Sequence, residues 1–306
     1  MTSCDRCNRP SVTYLRYSGQ HLCSVHYLDL LRRRIGKELR KQKFKPRGTT
    51  IGLALSGGKD SVLMTRLLWE IVRSVKSAKL VALSVDEGIS DYRPTSMEIA
   101  KGITRDLGID HDIFSFREDT GHDLDDLVER TNLSPCGICG ILRRKALNVL
   151  AARNHCDIIC TGHNLDDYAQ TVMMNVLSAD LDRMARLGPH ERPLPGFVPR
   201  LMPLRSTPEN ETYLAALLMG LPIHDRECPY SIDVRRARIR DLVLLAEESQ
   251  PGARHSLLNF QDKVRPLVPR TGSVSGNCGL CGEPIFNDDG GKMCKACRVI
   301  SDILVR

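Results

Sequence analysis

Twelve cysteines, most of them in spaced pairs, constrain this 306-residue chain more than any other feature. Near the start, Cys4-x-x-Cys7 is followed by Cys23-x-x-His26; near the end, Cys278-x-x-Cys281 is followed by Cys294-x-x-Cys297. Two such halves within loop distance form a closed four-ligand zinc site far more often than not. Structural zinc contributes about 10–16 kcal/mol to folding modules of this size. Cys4, Cys7, Cys23 and His26 are therefore expected to hold one Zn2+, and Cys278, Cys281, Cys294 and Cys297 a second. With four protein ligands each, neither has an open position for catalysis, so they are expected to shape surface.

The first residues carry no apolar core of a signal peptide, and no stretch approaches the roughly 18 apolar residues of a membrane span. A cytoplasmic protein with no membrane partner is expected. In a reducing compartment cysteines serve as metal ligands or in sulfur chemistry before they serve as disulfides. Hydrophobic residues at 42% and charged residues at 26% exclude a disordered or fibrous chain.

Strand-like and helix-like segments alternate between the two end modules. Strands are expected over 50–56, 80–86, 112–116 and 157–161, and helices over 61–75, 96–107, 123–130, 140–154 and 165–177. This alternation means right-handed crossovers and a doubly wound parallel α/β sheet, with ligands at the carboxyl ends of the strands. Prolines crowd 189–208 (Pro189, Pro193, Pro195, Pro199, Pro203, Pro208), which argues for an irregular connection around a short strand at 200–204. Mostly helical sequence continues to 263. The expected division is a zinc module over 1–30, a basic connecting helix over 31–48, the α/β domain over 49–263, a linker over 264–277 and a zinc ribbon over 278–306.

The net charge of +7 is local. Arg32, Arg33, Arg34, Lys37, Arg40, Lys41, Lys43, Lys45 and Arg47 are opposed within their segment only by Glu38. Leu28, Leu31, Ile35 and Leu39 give that segment one apolar stripe, leaving a basic outer face that either binds a phosphate backbone or is simply solvated. Arg235, Arg236, Arg238 and Arg240 form a second basic group with the same two readings.

Ser56-Gly57-Gly58-Lys59-Asp60-Ser61 lies between an expected strand and helix, where glycines let the chain turn and free N–H groups cradle phosphate. It fits neither G-x-x-x-x-G-K-[ST] nor G-x-G-x-x-G. Gly162-His163-Asn164-Leu165-Asp166-Asp167 follows the fourth strand; Asp166 reads as a helix cap, and His163 as a loop-orienting group or a base. Pro135-Cys136-Gly137-Ile138-Cys139-Gly140 has three readings: half a zinc site, a redox pair or two cluster ligands. Cys228, in Glu227-Cys228-Pro229-Tyr230, is the candidate third member. Cys156 and Cys160 read as small buried hydrophobes.

The loop at Ser56–Ser61 resembles that of the PP-loop ATPases, which cleave ATP to AMP and pyrophosphate while adenylating a substrate. With both terminal sets, Cys136-x-x-Cys139-Gly140, Thr161-Gly162-His163-Asn164 and Glu227-Cys228-Pro229, nearly the whole chain resembles the tRNA 2-thiolation enzymes of the TtuA and Ncs/Ctu type. The resemblance implies ATP with Mg2+ held by Ser56, Gly57, Gly58, Lys59, Asp60 and Ser61. Lys59 would offset developing charge, and Ala54 and Val85 would meet the adenine through backbone groups. Gly162 would approach the nucleotide, and Asp167 would act as a catalytic or magnesium-handling carboxylate. It further implies a [4Fe-4S] cluster on Cys136, Cys139 and Cys228, with a persulfide on one of these cysteines as the alternative sulfur form.

The implied reaction replaces the C2 oxygen of a tRNA uridine with sulfur from a ubiquitin-like carrier protein or inorganic sulfide, in a homodimer or hetero-oligomer. Asp86-Glu87-Gly88-Ile89 and Cys139-Gly140-Ile141-Leu142-Arg143-Arg144 resemble the wobble-uridine branch. The T-loop branch tends to carry Lys where this chain has Arg143, a permanent fork suited to phosphate or adenylate binding rather than proton transfer. The rival readings are a T-loop uridine 2-thiolase, a 2-thiocytidine synthetase and a non-catalytic tRNA-binding protein built on zinc modules.

Overall fold

The computed structural model describes residues 2–189, 196–231, 234–269, 274–286 and 291–304. Pro193 and Pro195, and residues 270–273 of the expected linker, lie outside the described residues.

A five-stranded parallel sheet forms the centre, built from β3 (Thr50–Ala54), β4 (Lys79–Asp86), β5 (Asp110–Ser115), β6 (Ile158–Cys160) and β7 (Arg200–Leu201), after a small antiparallel hairpin of β1 (Thr13–Leu15) and β2 (Gln20–Leu22). The order is β5-β4-β3-β6-β7, so the chain reverses its direction of travel across the sheet between β3 and β6. Such a reversal opens a crevice at the strands' carboxyl ends, where ligands of doubly wound sheets bind. Both glycine-containing loops singled out in the sequence, one after β3 and one after β6, end there.

Alternation along the strands divides the interior into two cores. Ile51, Leu53 and Ala82 face one side with helices α1 (Ser24–Lys41), α2 (Lys59–Val72), α3 (Arg93–Leu107) and, from beyond β7, α9 (Glu209–Leu218). Val81, Leu83, Val85 and Ile159 face the other, covered by α6 (Pro135–Arg153) and two short helices, α4 (Phe116–Thr120) and α5 (Leu124–Glu129). The end modules plug into these cores from opposite sides. Leu15, Leu22, Cys23 and Tyr27 continue the first core. Cys278, Ile285, Ala296 and Ile303, from β8 (Val274–Asn277), β9 (Pro284–Phe286) and α12 (Lys295–Leu304), continue the second.

The remaining helices are α7 (Leu165–Leu177), α8 (Leu181–Arg186), α10 (Val234–Ser249) and α11 (Ala253–Val264). Helix α2 ends at Val72 rather than 75, β5 ends at Ser115 and β7 at Leu201 rather than 204, and three helices begin at least three residues before the sequence reading placed them. The expected connecting helix over 31–48 is the second half of α1, which already starts at Ser24, carries His26 and ends at Lys41. Helix α3 begins at Arg93 rather than 96, with Pro94 in its first turn. Helix α6 begins at Pro135 rather than 140, because proline is well placed at a first helical position where its missing N–H costs nothing. Cys136 and Cys139 thus stand three apart on one helical turn, sharing a face.

The basic segment is not a uniformly free arm. Arg32 pairs with Glu70 at 3.0 Å, Arg33 with Asp29 at 3.0 Å and Arg34 with Glu211 at 2.8 Å. Glu38 is buried and bonded to Arg205 at 2.6 Å. Lys37, Arg40, Lys41, Lys45 and Arg47 are at least partly exposed and form the basic surface that remains.

Candidate functional site

The loop after β3 takes its shape from Gly57. Its φ of +86° is left-handed, and a Cβ there would lie 1.9 Å from the Ser96 carbonyl oxygen, so only glycine fits. Ser61 closes the loop: its hydroxyl accepts from Ser56 N at 3.1 Å and donates to Gly58 O at 2.9 Å. Lys59 opens α2, and its Nζ is bound to Asp60 at 3.1 Å and Glu209 at 2.8 Å. Burial alone would lower the Lys59 pKa, but the Asp60 charge and the Glu209 hydrogen bond and charge outweigh it and hold it above the usual value. Burial raises the pKa of Asp60, and the nearby Asp167 charge adds to that.

The opposite wall comes from the loop after β6. A Cβ at Gly162 would lie 3.0 Å from Ser61 N, so the two glycine loops touch. Asn164 and Asp167 form a reciprocal cap of α7: Asp167 N donates to Asn164 Oδ1 at 3.0 Å and Asn164 N to Asp167 Oδ2 at 3.2 Å. Asp167 Oδ1 accepts from Arg236 at 3.1 Å, on α10; the Arg235 side chain lies outside the described residues. The reading of Asp166 as a cap of its own helix is corrected. It is buried, accepts from Glu209 N at 2.7 Å and from Arg254 at 2.6 Å, and so caps α9 instead. His163 Nδ1 pairs with Thr161 Oγ1 at 3.0 Å, a loop-orienting contact.

The structure brings Cys136, Cys139 and Cys228 to the same end of the sheet. Cys139 is buried, Cys228 half-buried and Cys136 exposed, and Cys136 Sγ donates to Tyr230 O at 3.1 Å. All three thiols lie within electrostatic range of Arg143. Burial pushes the Cys139 thiol up to about 12 although the Arg143 charge opposes it. Cys156 and Cys160 are buried around β6, with thiols pushed up to about 11 and about 12 by burial. With seven of the twelve cysteines in the terminal sets and Cys156 and Cys160 buried around β6, no cysteine is left over as a fourth ligand. Three sulfur donors on a half-open surface beside a permanently charged arginine suit a cluster with one iron left without a protein ligand.

Both terminal sets bring four ligand atoms within 4.8 Å of one another. Cys7 Sγ–Cys23 Sγ is 3.8 Å and Cys281 Sγ–Cys294 Sγ is 3.7 Å. A tetrahedron of zinc–sulfur bonds of about 2.3 Å has edges of about 3.8 Å, so both sets are sized for one ion. In the first set His26 presents Nδ1, 3.3 Å from Cys4 Sγ and 3.6 Å from Cys23 Sγ.

Two buried residues connect the loop to the three thiols: Arg93, which the sequence did not reveal, and Glu87, singled out there only as part of the Asp86–Ile89 stretch. Arg93 donates to Ser56 O at 2.7 Å and to Val85 O. Glu87 lies 2.9 Å from Arg93 Nε and 3.8 Å from Arg143 Nε. The position of Glu87, just past the carboxyl end of β4, was the available signal; Arg93 had none, because its partners Ser56, Val85 and Glu87 lie outside its own helix and share no periodic pattern with it.

A glycine-built anion cradle at the reversal point of a parallel sheet defines a nucleotide-binding α/β protein. The PP-loop domain model matches residues 31–243, and the N-terminal LIM domain model of 2-thiouridine synthetase TtuA matches residues 3–28. The chain is 37% identical to tRNA 2-thiolation protein NcsA of Haloferax volcanii over 98% of both chains. It is 28% identical to the tRNA-5-methyluridine(54) 2-sulfurtransferase of Thermus thermophilus over 97% of this chain and 90% of that one. The structure of U34-tRNA thiolase NcsA from Methanococcus maripaludis with its [4Fe-4S] cluster superposes with a TM-score of 0.86 at 31% identity, covering 99% of this chain and 96% of that one. The chain belongs to the PP-loop family of tRNA 2-thiolation proteins.

Proposed function

We propose that this protein is an ATP-dependent tRNA uridine 2-thiolase acting at the wobble position. The observation that carries the reading is the meeting, at one end of one sheet, of the nucleotide loop and a three-cysteine group. Adenylation attaches AMP to the uridine C2 oxygen and releases pyrophosphate. A sulfide then forms the new C2–S bond, and the oxygen leaves with AMP.

Within this reaction Gly57, Gly58 and Ser61 cradle the leaving pyrophosphate and Lys59 offsets its charge; Ser56 shapes the loop, and Ala54 and the Val85 backbone border the adenine. Gly162 lets the nucleotide approach. Asp60 and Asp167, which lie within electrostatic range of each other, would handle Mg2+. Arg143, a permanent cation, binds the adenylate beside the three thiols. A [4Fe-4S] cluster on Cys136, Cys139 and Cys228 supplies one iron free of protein ligands, where a transferable sulfide is held. The two terminal sets hold Zn2+. The exposed cations from Lys37 to Arg47 supply the tRNA-facing surface, and the sulfur comes from a carrier protein or inorganic sulfide.

The similarity to a U34 thiolase along almost the whole chain favours the wobble position, as does the lower identity to the relative named for position 54. No helix among the described residues is long and apolar enough to cross a membrane, and a relative in Oryza sativa is named a cytoplasmic protein, which supports a cytoplasmic location. Nucleoside mass spectrometry on tRNA from a deletion strain tests the assignment: 2-thiolation is lost at position 34 and retained at 54. The opposite pattern overturns the wobble assignment. Anaerobic iron and sulfide analysis tests the cluster, and Cys136→Ala or Cys228→Ala variants with wild-type iron overturn the three-ligand set.

A further inference from the structure

We propose that Glu87 is a positioning residue that holds the nucleotide loop and the three-thiol group in one register; this rests on the cluster reading above. Glu87 is 5% exposed and Arg93 is 4% exposed. The two carboxylate oxygens of Glu87 face different arginines. Oε2 makes a 2.9 Å ionic contact with Arg93 Nε, a nitrogen with no aligned hydrogen-bond acceptor, and Oε1 lies 3.8 Å from Arg143 Nε. Arg93 in turn donates to the Ser56 carbonyl of the nucleotide loop and to the Val85 carbonyl at the end of β4.

The backbone fixes the place of this carboxylate independently of either arginine. Glu87 O accepts from Leu124 N at 2.8 Å. Gly88 follows with φ +70°, and Asp123 packs where a Cβ would be. Glu87 is thus the fixed point. Arg143, whose side chain is 51% exposed, is the adjustable end facing the thiols. Neutralising residue 87 would leave the buried Arg93 without its counter-charge and release Arg143, disturbing both halves of the site at once.

The test uses the anaerobically purified full-length holoprotein as wild type, Glu87→Gln and Arg93→Lys. Two quantities are measured: the Kd for α,β-methylene-ATP by calorimetry, and the electron paramagnetic resonance spectrum of the reduced protein. E87Q is expected to raise the Kd at least about fivefold, the lower end of ordinary coupling energies, and also to shift the spectrum. R93K keeps its charge beside Glu87, but one ammonium cannot span both carbonyls, so it raises the Kd and leaves the spectrum unchanged. An E87Q protein altered in one quantity or in neither, or an R93K protein altered in both, overturns the proposal.

Iron and sulfide in the wild-type protein separate this outcome from the cluster reading, because their absence refutes the cluster itself. In that event iodoacetamide labelling rates at Cys136, Cys139 and Cys228 replace the spectrum, with the same outcomes. Should E87Q fail to fold, Glu87→Asp carries the test: it keeps the charge at a shorter reach and is expected to be displaced in the same direction on both readouts, and wild-type values for both overturn the proposal.

Discussion

Glu209 Oε1 lies 2.8 Å from Lys59 Nζ, joining the first residue of α9 to the first residue of α2. Lys59 is the cation nearest the expected phosphate position, so Glu209 competes with the nucleotide for it. Lys59→Ala is expected to slow AMP formation by about 10²–10³-fold, the loss typical of removing one charge stabiliser from a transition state. Glu209→Gln removes the competitor and is expected to lower the Kd for ATP. A Kd that rises instead would show that Glu209 positions Lys59 rather than restrains it. Isothermal calorimetry and single-turnover AMP release check both.

Gly57→Ala places a methyl group against the Ser96 carbonyl at a left-handed backbone position. The loop must shift or the protein must lose stability. Loss of ATP binding with the terminal metal content retained is expected, measured by nucleotide affinity and zinc analysis on the same sample. Gly140→Ala, whose Cβ would meet only the tip of Arg144 at 3.9 Å, is expected to leave ATP affinity near wild type.

Each terminal metal set serves a different core, so losing either destabilises a different half of the molecule. Cys7→Ser and Cys281→Ser should each release one zinc equivalent. Hydrogen exchange should then rise around Leu15, Leu22 and Tyr27 in the first variant, and around Ile285, Ala296 and Ile303 in the second. Uniform protection in both variants would contradict the two-core arrangement.

Lys41 and Arg47 are exposed, whereas Arg33 is paired with Asp29. If the exposed cations meet tRNA phosphates, the K41A/R47A double variant should reduce the magnitude of the slope of log K against log salt by about 1.8, about 0.9 for each phosphate that is no longer neutralised. Arg33→Ala should change it little. Filter binding across a salt series measures both slopes.

The parallel sheet and its order of elements were legible because β3 and β4 are short apolar runs separated by helical periodicity. Helix α7 was legible to the residue over 165–177, although its cap was read at Asp166 and is formed by Asn164 with Asp167. The start of α6 was not: Pro135, Gly137 and Gly140 look like a loop, and packing on the second core makes them helical. Burial hides charge pairing from a linear reading. Arg34 lies 177 residues from Glu211, and Arg205 lies 167 residues from Glu38, so neither pair leaves a local trace. The same holds for Arg93 and for Asp166, whose partners belong to other elements.

Coupling of ATP cleavage to uridine thiolation in one active site is the expected behaviour of the holoprotein. It is tested most directly by incubating the anaerobic holoprotein with ATP, Mg2+, sulfide and unmodified tRNA while following AMP by chromatography and nucleosides by mass spectrometry. The expected result is 2-thiouridine at position 34 and AMP in equal amounts, with formation of both slowed by about 10²–10³-fold in Lys59→Ala and the thiolation abolished by Cys228→Ala. AMP without any thiolated nucleoside, or 2-thiocytidine in place of 2-thiouridine, would contradict it.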